Sequence, residues 1–120
     1  MTHDAMITLI NKIFSQVKEI HTAGQKEYAM DEDNVFANFE RISEQTGLDK
    51  KMVLWIYLMK HIDGIASHIK GHRSQREDVT GRLTDAMVYL CILWGMIDSE
   101  DMKYPGKSEY YFQRLGDKND

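Results

Sequence analysis

Apolar residues recur at helical spacing in four separate stretches of this chain, and strand-like alternation is almost absent. The only proline in 120 residues is Pro105, so nothing upstream of it forces a break in a long helix. The first stretch, over 6 to about 21, carries Met6, Leu9, Ile10, Ile13, Phe14, Val17 and Ile20 on one face, with Gly24 following as a stop. The second, 35–46, is capped by Asp33 or Asn34, ends at Gly47 and carries Val35, Phe39 and Ile42. The third, from about 50 to 69, places Met52, Trp55, Ile56, Met59, Ile62, Ala66 and Ile69 inward and closes at Gly71. The fourth, 77–97, places Val79, Leu83, Met87, Leu90, Trp94 and Ile97 inward. Short connections between such helices favour an antiparallel bundle. The pattern predicts an all-α domain of four main helices over 1–100. A tail over 101–120 follows, with a short helix near 110–115.

Composition narrows the function classes. With 42% hydrophobic and 28% charged residues the chain is globular rather than disordered. A formal charge of −4 argues against a general nucleic-acid coat, which needs a basic surface. The lone cysteine, Cys91, lies in the apolar run "YLCILW", so no disulfide framework exists and a reducing compartment is expected. The start "MTHDAMITL" lacks the features of a signal peptide, and no apolar run reaches the roughly 20 residues of a membrane span. The expectation is a cytoplasmic protein.

Polar residues that interrupt the apolar pattern are the candidates for chemistry. Asp78, Arg82, Asp85 and Tyr89 are spaced by four, three and four, so they share one face of the fourth helix. From Met87 onward that helix is apolar nearly all round, which implies burial on every side. An aspartate at the edge of such a region needs a partner. Either Asp85 pairs with Arg82 or a neighbouring helix, or it belongs to a metal- or phosphate-binding site. Lys60, His61 and Asp63 lie on the third helix away from Trp55 and Met59, where a solvated face is the plain reading. Asn38 flanks the core of the second helix, while Glu40 and Glu44 point outward unless a second subunit brings them to a site. The loop "HIKGHRSQRED" supplies Lys70, His72, Arg73 and Arg76, suited to phosphate oxygens or an acidic partner, or simply solvated. No Walker loop, dinucleotide glycine fingerprint or serine elbow is present. Catalysis would therefore rest on carboxylates holding Mg²⁺, an ion that prefers oxygen ligands and bridges phosphates.

The stretches "KEYAMDEDNVFANFER", "LMKHIDGI" and "REDVTGRLTDAMVYLCIL" resemble the MazG-like all-α nucleotide pyrophosphohydrolases, in their phage-type, nucleotide-modification-associated branch. The resemblance covers roughly residues 20 to 97, through short degenerate motifs. It implies a helical bundle, dimeric or higher, that cleaves a nucleoside triphosphate to monophosphate and pyrophosphate with Mg²⁺. By the same resemblance Asp85 and Glu77 would be catalytic, and Asp63, Asp78, Asp85 and Glu44 would be metal ligands. Lys26, Tyr28, Asn38, Lys60, Arg82 and Tyr89 would bind the nucleotide. The chain departs from the family pattern at two carboxylates. Ser43 follows Glu40 by three, and Arg82 stands where an acid should precede Asp85.

Two functions follow. One is Mg²⁺-dependent hydrolysis of a free nucleotide. The other is a non-enzymatic, phage-type interaction protein on the same bundle, which inhibits or recruits a host protein or sequesters a nucleotide. For that role the acidic loop Asp31 to Asp33 and the aromatic tail Tyr110, Tyr111 and Phe112 would meet the partner.

Overall fold

The computed structural model describes residues 1–29, 33–73 and 76–101, at positions 29 and 101 the backbone alone. Four α-helices run in chain order: α1 His3–Gly24, α2 Ala37–Thr46, α3 Lys50–Ile69 and α4 Val79–Asp101. A single π-helical turn, Gln25–Ala29, continues α1 beyond its expected stop at Gly24. The tail over 102–120, with Tyr110, Tyr111 and Phe112, and the acids Asp31 and Glu32 lie outside the described residues. Among those described, no strand occurs and no helix is long and apolar enough to cross a membrane.

Local chemistry sets the helix ends. The Thr2 hydroxyl accepts from the Ala5 N–H at 3.1 Å, which starts α1 three residues ahead of the apolar stripe. The Asn34 side-chain oxygen accepts the Phe36 N–H at 3.0 Å and its carbonyl accepts from Ala37, so α2 begins at Ala37 rather than at Val35. Asp49 accepts the Lys51 N–H at 2.8 Å and opens α3. Gly47, at φ 75°, and Gly71, at φ 95°, take the left-handed conformation that terminates α2 and α3. Helix α4 begins two residues later than the expected position 77 and runs past 97 to Asp101.

The helices pack in series, α1 on α4, α4 on α3 and α3 on α2. This leaves a thin array with extents of 46 × 44 × 26 Å and a radius of gyration of 16.7 Å. A compact domain of this length would measure about 13 to 14 Å. The core is Phe39, Val53, Leu54 and Met96, with Phe36, Ile42, Tyr57, Tyr89, Ile92 and Leu93 against it. Leu54, Leu58 and Met96 are fully buried, each contributing about 1.5–3 kcal/mol.

On three helices the buried face differs from the expected one. On α3 the residues turned to the chain's own core are Val53, Leu54 and Leu58, whereas Met52, Trp55, Ile56, Ile62 and Ile69 are exposed. On α4 the buried positions are Thr84, Ala86 and Met96, and Leu83, Leu90, Trp94 and Ile97 are exposed. On α1 only Val17 is buried; Met6, Leu9, Phe14 and Ile20 are exposed. Both α3 and α4 carry two apolar faces. The chain covers the one rich in Leu, Val and Tyr and leaves the bulkier one, with Trp55 and Ile56 each about half exposed, facing outward.

Candidate functional site

The antiparallel contact of α3 with α4 brings His61 opposite Asp85 and Tyr89. His61 follows Leu54 by seven and Leu58 by three, so the helix that buries those leucines turns the imidazole inward as well. The His61 ring lies 5.5 Å from that of Tyr89. Tyr89 stacks on Tyr57 at 6.3 Å, and Phe39 meets both edge-on at 6.2 Å. The rings of Phe39, Tyr57 and Tyr89 join α2, α3 and α4, and Tyr89 packs against His61.

His61, Glu77 and Asp85 converge. One ligand atom from each lies within 4.8 Å of the others, and all three residues are half-buried. His61 Nδ1 is 3.8 Å from Asp85 Oδ2, too far for a hydrogen bond. That nitrogen is shielded from solvent and has no hydrogen-bond partner among the described residues. Burial pushes the Asp85 carboxyl above the ordinary aspartate range; His61 opposes the shift, and the Glu77 charge and a hydrogen bond with Glu77 add to it. Two carboxylates and an imidazole, gathered at this spacing, form a donor set that fits a divalent cation.

The cluster sits between two cavities. On one side a cleft of about 340 Å³ is lined by His21, Tyr28, Asn38, Phe39, Asp85 and Tyr89, among others. Burial pushes the Tyr89 hydroxyl up from its ordinary pKa, with the Asp85 charge adding to the rise, so it stays protonated and able to donate. Asn38 is oriented by Arg41, whose Nη2 donates to its side-chain oxygen at 2.8 Å. On the other side a basic pocket of about 150 Å³ is lined by Gly64, Ser67, His68, His72, Arg73, Glu77 and Arg82. Asp85 belongs to the cleft and the cluster, and Glu77 to the cluster and the basic pocket, so the three spaces adjoin. Arg82 Nη2 lies 3.8 Å from Glu77 Oε2, with the guanidinium laid over Gly64.

The residues singled out in the sequence divide on this geometry. Asp85 and Glu77 come together, Tyr28, Asn38 and Tyr89 line the cleft, and Arg82 lines the basic pocket. Asp78 stands at the head of α4, where it accepts from the Thr80 hydroxyl at 2.7 Å and its carbonyl accepts from the Arg82 N–H. The Thr80 hydrogen bond holds its carboxyl below the ordinary range. Asp63 and Lys60 are exposed on α3 and Glu44 is exposed on α2; none of these acids joins the His61–Glu77–Asp85 cluster. Lys26 is exposed and lines a separate groove with Lys18, Glu19 and Thr22.

For His61 the sequence predicts a solvated face, and the structure instead places it in the cluster. The signal that places it inward is its register with Leu54 and Leu58, a stripe outweighed in the sequence by the bulkier Trp55 face. The chain matches no family model, no curated protein and no solved structure.

Proposed function

We propose that this chain is a divalent-cation-dependent nucleotide pyrophosphohydrolase of the MazG-like type. The observation that carries the reading is the sequence of adjoining spaces: an aromatic and amide-lined cleft, the Asp85–Glu77–His61 cluster, then a basic pocket. A nucleoside triphosphate has the same order of parts. The base and sugar fit beside Tyr28, Asn38 and Tyr89, and the terminal phosphates fit among His68, His72, Arg73 and Arg82. The α-phosphate then lies at the carboxylates.

Water attacks the α-phosphorus, the bond to the α–β bridging oxygen breaks, and pyrophosphate leaves toward the basic pocket. The proton lost by the water passes to the Asp85–Glu77 carboxylate pair. A bound Mg²⁺ or similar ion would neutralise the phosphates and make the water more acidic. Arg82, standing where the family pattern expects an acid, serves the leaving pyrophosphate as a cation rather than serving the metal.

The working form in this proposal is a homodimer or higher homo-oligomer. Among the described residues eighteen large hydrophobics are exposed, most of them on α1, α3 and α4, and large exposed apolar surface marks an interaction face. A second copy covering these faces would complete the bundle that the thin chain leaves open.

The test is pyrophosphate release from a panel of nucleoside triphosphates, with and without divalent cation. Cation-dependent release that disappears in a folded Asp85→Ala variant supports the reading. Absence of release from every triphosphate would sink it and leave the bundle as a binding scaffold.

A further inference from the structure

We infer that the ion held by His61, Glu77 and Asp85 is a first-row transition metal, Mn²⁺ or a later neighbour, selected over Mg²⁺ by the imidazole. The inference rests on the cluster being the metal centre of the proposed hydrolase and specifies which ion that centre takes.

Three observations converge on it. First, His61 Nδ1 is a shielded polar atom with no hydrogen-bond partner among the described residues, and such an atom is costly to leave unsatisfied. Second, its distance to Asp85 Oδ2 is 3.8 Å. That gap is too long for a hydrogen bond but suits two ligands of one ion. Bonds of about 2.0–2.2 Å each put two ligand atoms at most about 4.4 Å apart. Third, Tyr89 packs at 5.5 Å from the imidazole, and Leu54 and Leu58 fix the face of α3 that carries it. The nitrogen is therefore delivered to the carboxylates by the core and not by a chance rotamer.

Selectivity follows from the donor set. Mg²⁺ takes oxygen ligands and gives up its water shell reluctantly, so an imidazole gains it little. Mn²⁺, Fe²⁺, Co²⁺ and Zn²⁺ accept imidazole nitrogen readily, with affinity rising along the series toward copper. With two carboxylates and one imidazole from the chain, coordination positions remain for phosphate oxygens and water.

The experiment uses the full chain without nucleotide. Mn²⁺ binding is followed by electron paramagnetic resonance in the presence of excess Mg²⁺, and nitrogen coupling to the bound Mn²⁺ is read from the spin-echo modulation. The expected result is retained Mn²⁺ with imidazole-type coupling. In His61→Asn, checked for fold by circular dichroism, the coupling disappears and Mn²⁺ affinity falls by about tenfold or more. Displacement of Mn²⁺ by Mg²⁺, or bound Mn²⁺ without nitrogen coupling and with unchanged affinity in His61→Asn, would overturn the inference.

The pyrophosphate assay separates this inference from the reading beneath it. Turnover with Mg²⁺ and no nitrogen-coupled Mn²⁺ leaves the hydrolase standing and removes the inference. Nitrogen-coupled Mn²⁺ without turnover on any triphosphate keeps the metal site and removes the hydrolase.

Discussion

The Arg82 guanidinium lies directly over Gly64, in space that a single methyl group would fill. Arg82 of α4 thereby lies against α3 with its Nη2 3.8 Å from Oε2 of Glu77, just ahead of α4, and walls the basic pocket. Gly64 is needed for that close approach and for nothing in its own backbone conformation. Gly64→Ala is expected to dislodge Arg82, and because the clash falls on a flexible side chain while alanine favours a helix interior by about 0.5–1 kcal/mol, the net change in stability should stay within about 1 kcal/mol. The measurement is a double-mutant cycle in denaturant: in an Arg82→Ala background Gly64→Ala should stabilise the chain by about 0.5–1 kcal/mol, more than it does with Arg82 present. An effect of the same size in both backgrounds would rule out the contact.

Asp85 sets a pH dependence. Its folded-state pKa lies above that of the unfolded chain, chiefly through burial. Its proton is therefore bound more tightly when folded. The associated stability is fully present below the unfolded value, about 3.9, and is lost as pH rises through the raised folded value. At neutral pH the charged carboxylate opposes folding of the cation-free chain. Asp85→Asn should melt at a higher temperature than the parent at neutral pH, with the gap closing on acidification. Added divalent cation should raise the melting temperature of the parent and leave the variant unmoved. Equal melting of the two proteins across the pH range would contradict this account.

The outward apolar faces make oligomerisation measurable. Light scattering should give a multiple of the 14.0 kDa chain mass, and the melting temperature should rise with protein concentration. Trp55→Glu combined with Ile56→Lys, both on exposed positions of α3, should lower the mass to that of one chain. A parent protein that already runs as a single chain at all concentrations would refute the proposed assembly.

The two faces of α3 are distinguished by stability. Leu54 is fully buried, and Leu54→Ala should cost about 2–5 kcal/mol in urea titrations. Lys60 is exposed, and Lys60→Ala should change stability by no more than about 0.5 kcal/mol. A large effect at Lys60, or a small one at Leu54, would show that α3 presents the other face to the core.

The sequence alone determined the number and approximate extent of the helices. Periodic apolar residues, the left-handed stops at Gly47 and Gly71, and the capping side chain at Asn34 act within one or two turns. Such local terms are legible without tertiary contacts. It also marked Asp85, Tyr89 and Asn38 as polar or aromatic positions beside that pattern and, through the resemblance, Tyr28, and all four line one cleft. Tertiary structure decided which apolar face each helix turns to its neighbours. On α3 and α4 periodicity is satisfied by either face, and the packing of Val53 and Leu54 with Met96 and the rings of Phe39 and Tyr89 breaks the tie. That choice also carried His61 from a solvated position to Asp85 and left Asp63 and Glu44 outside the cluster. Asp78 was decided more locally: its hydrogen bonds with the first turn of α4 tie it to the helix end. A metal-ligand set spanning two helices depends on their relative rotation, and that rotation is fixed by packing between helices, which no single stretch of sequence contains.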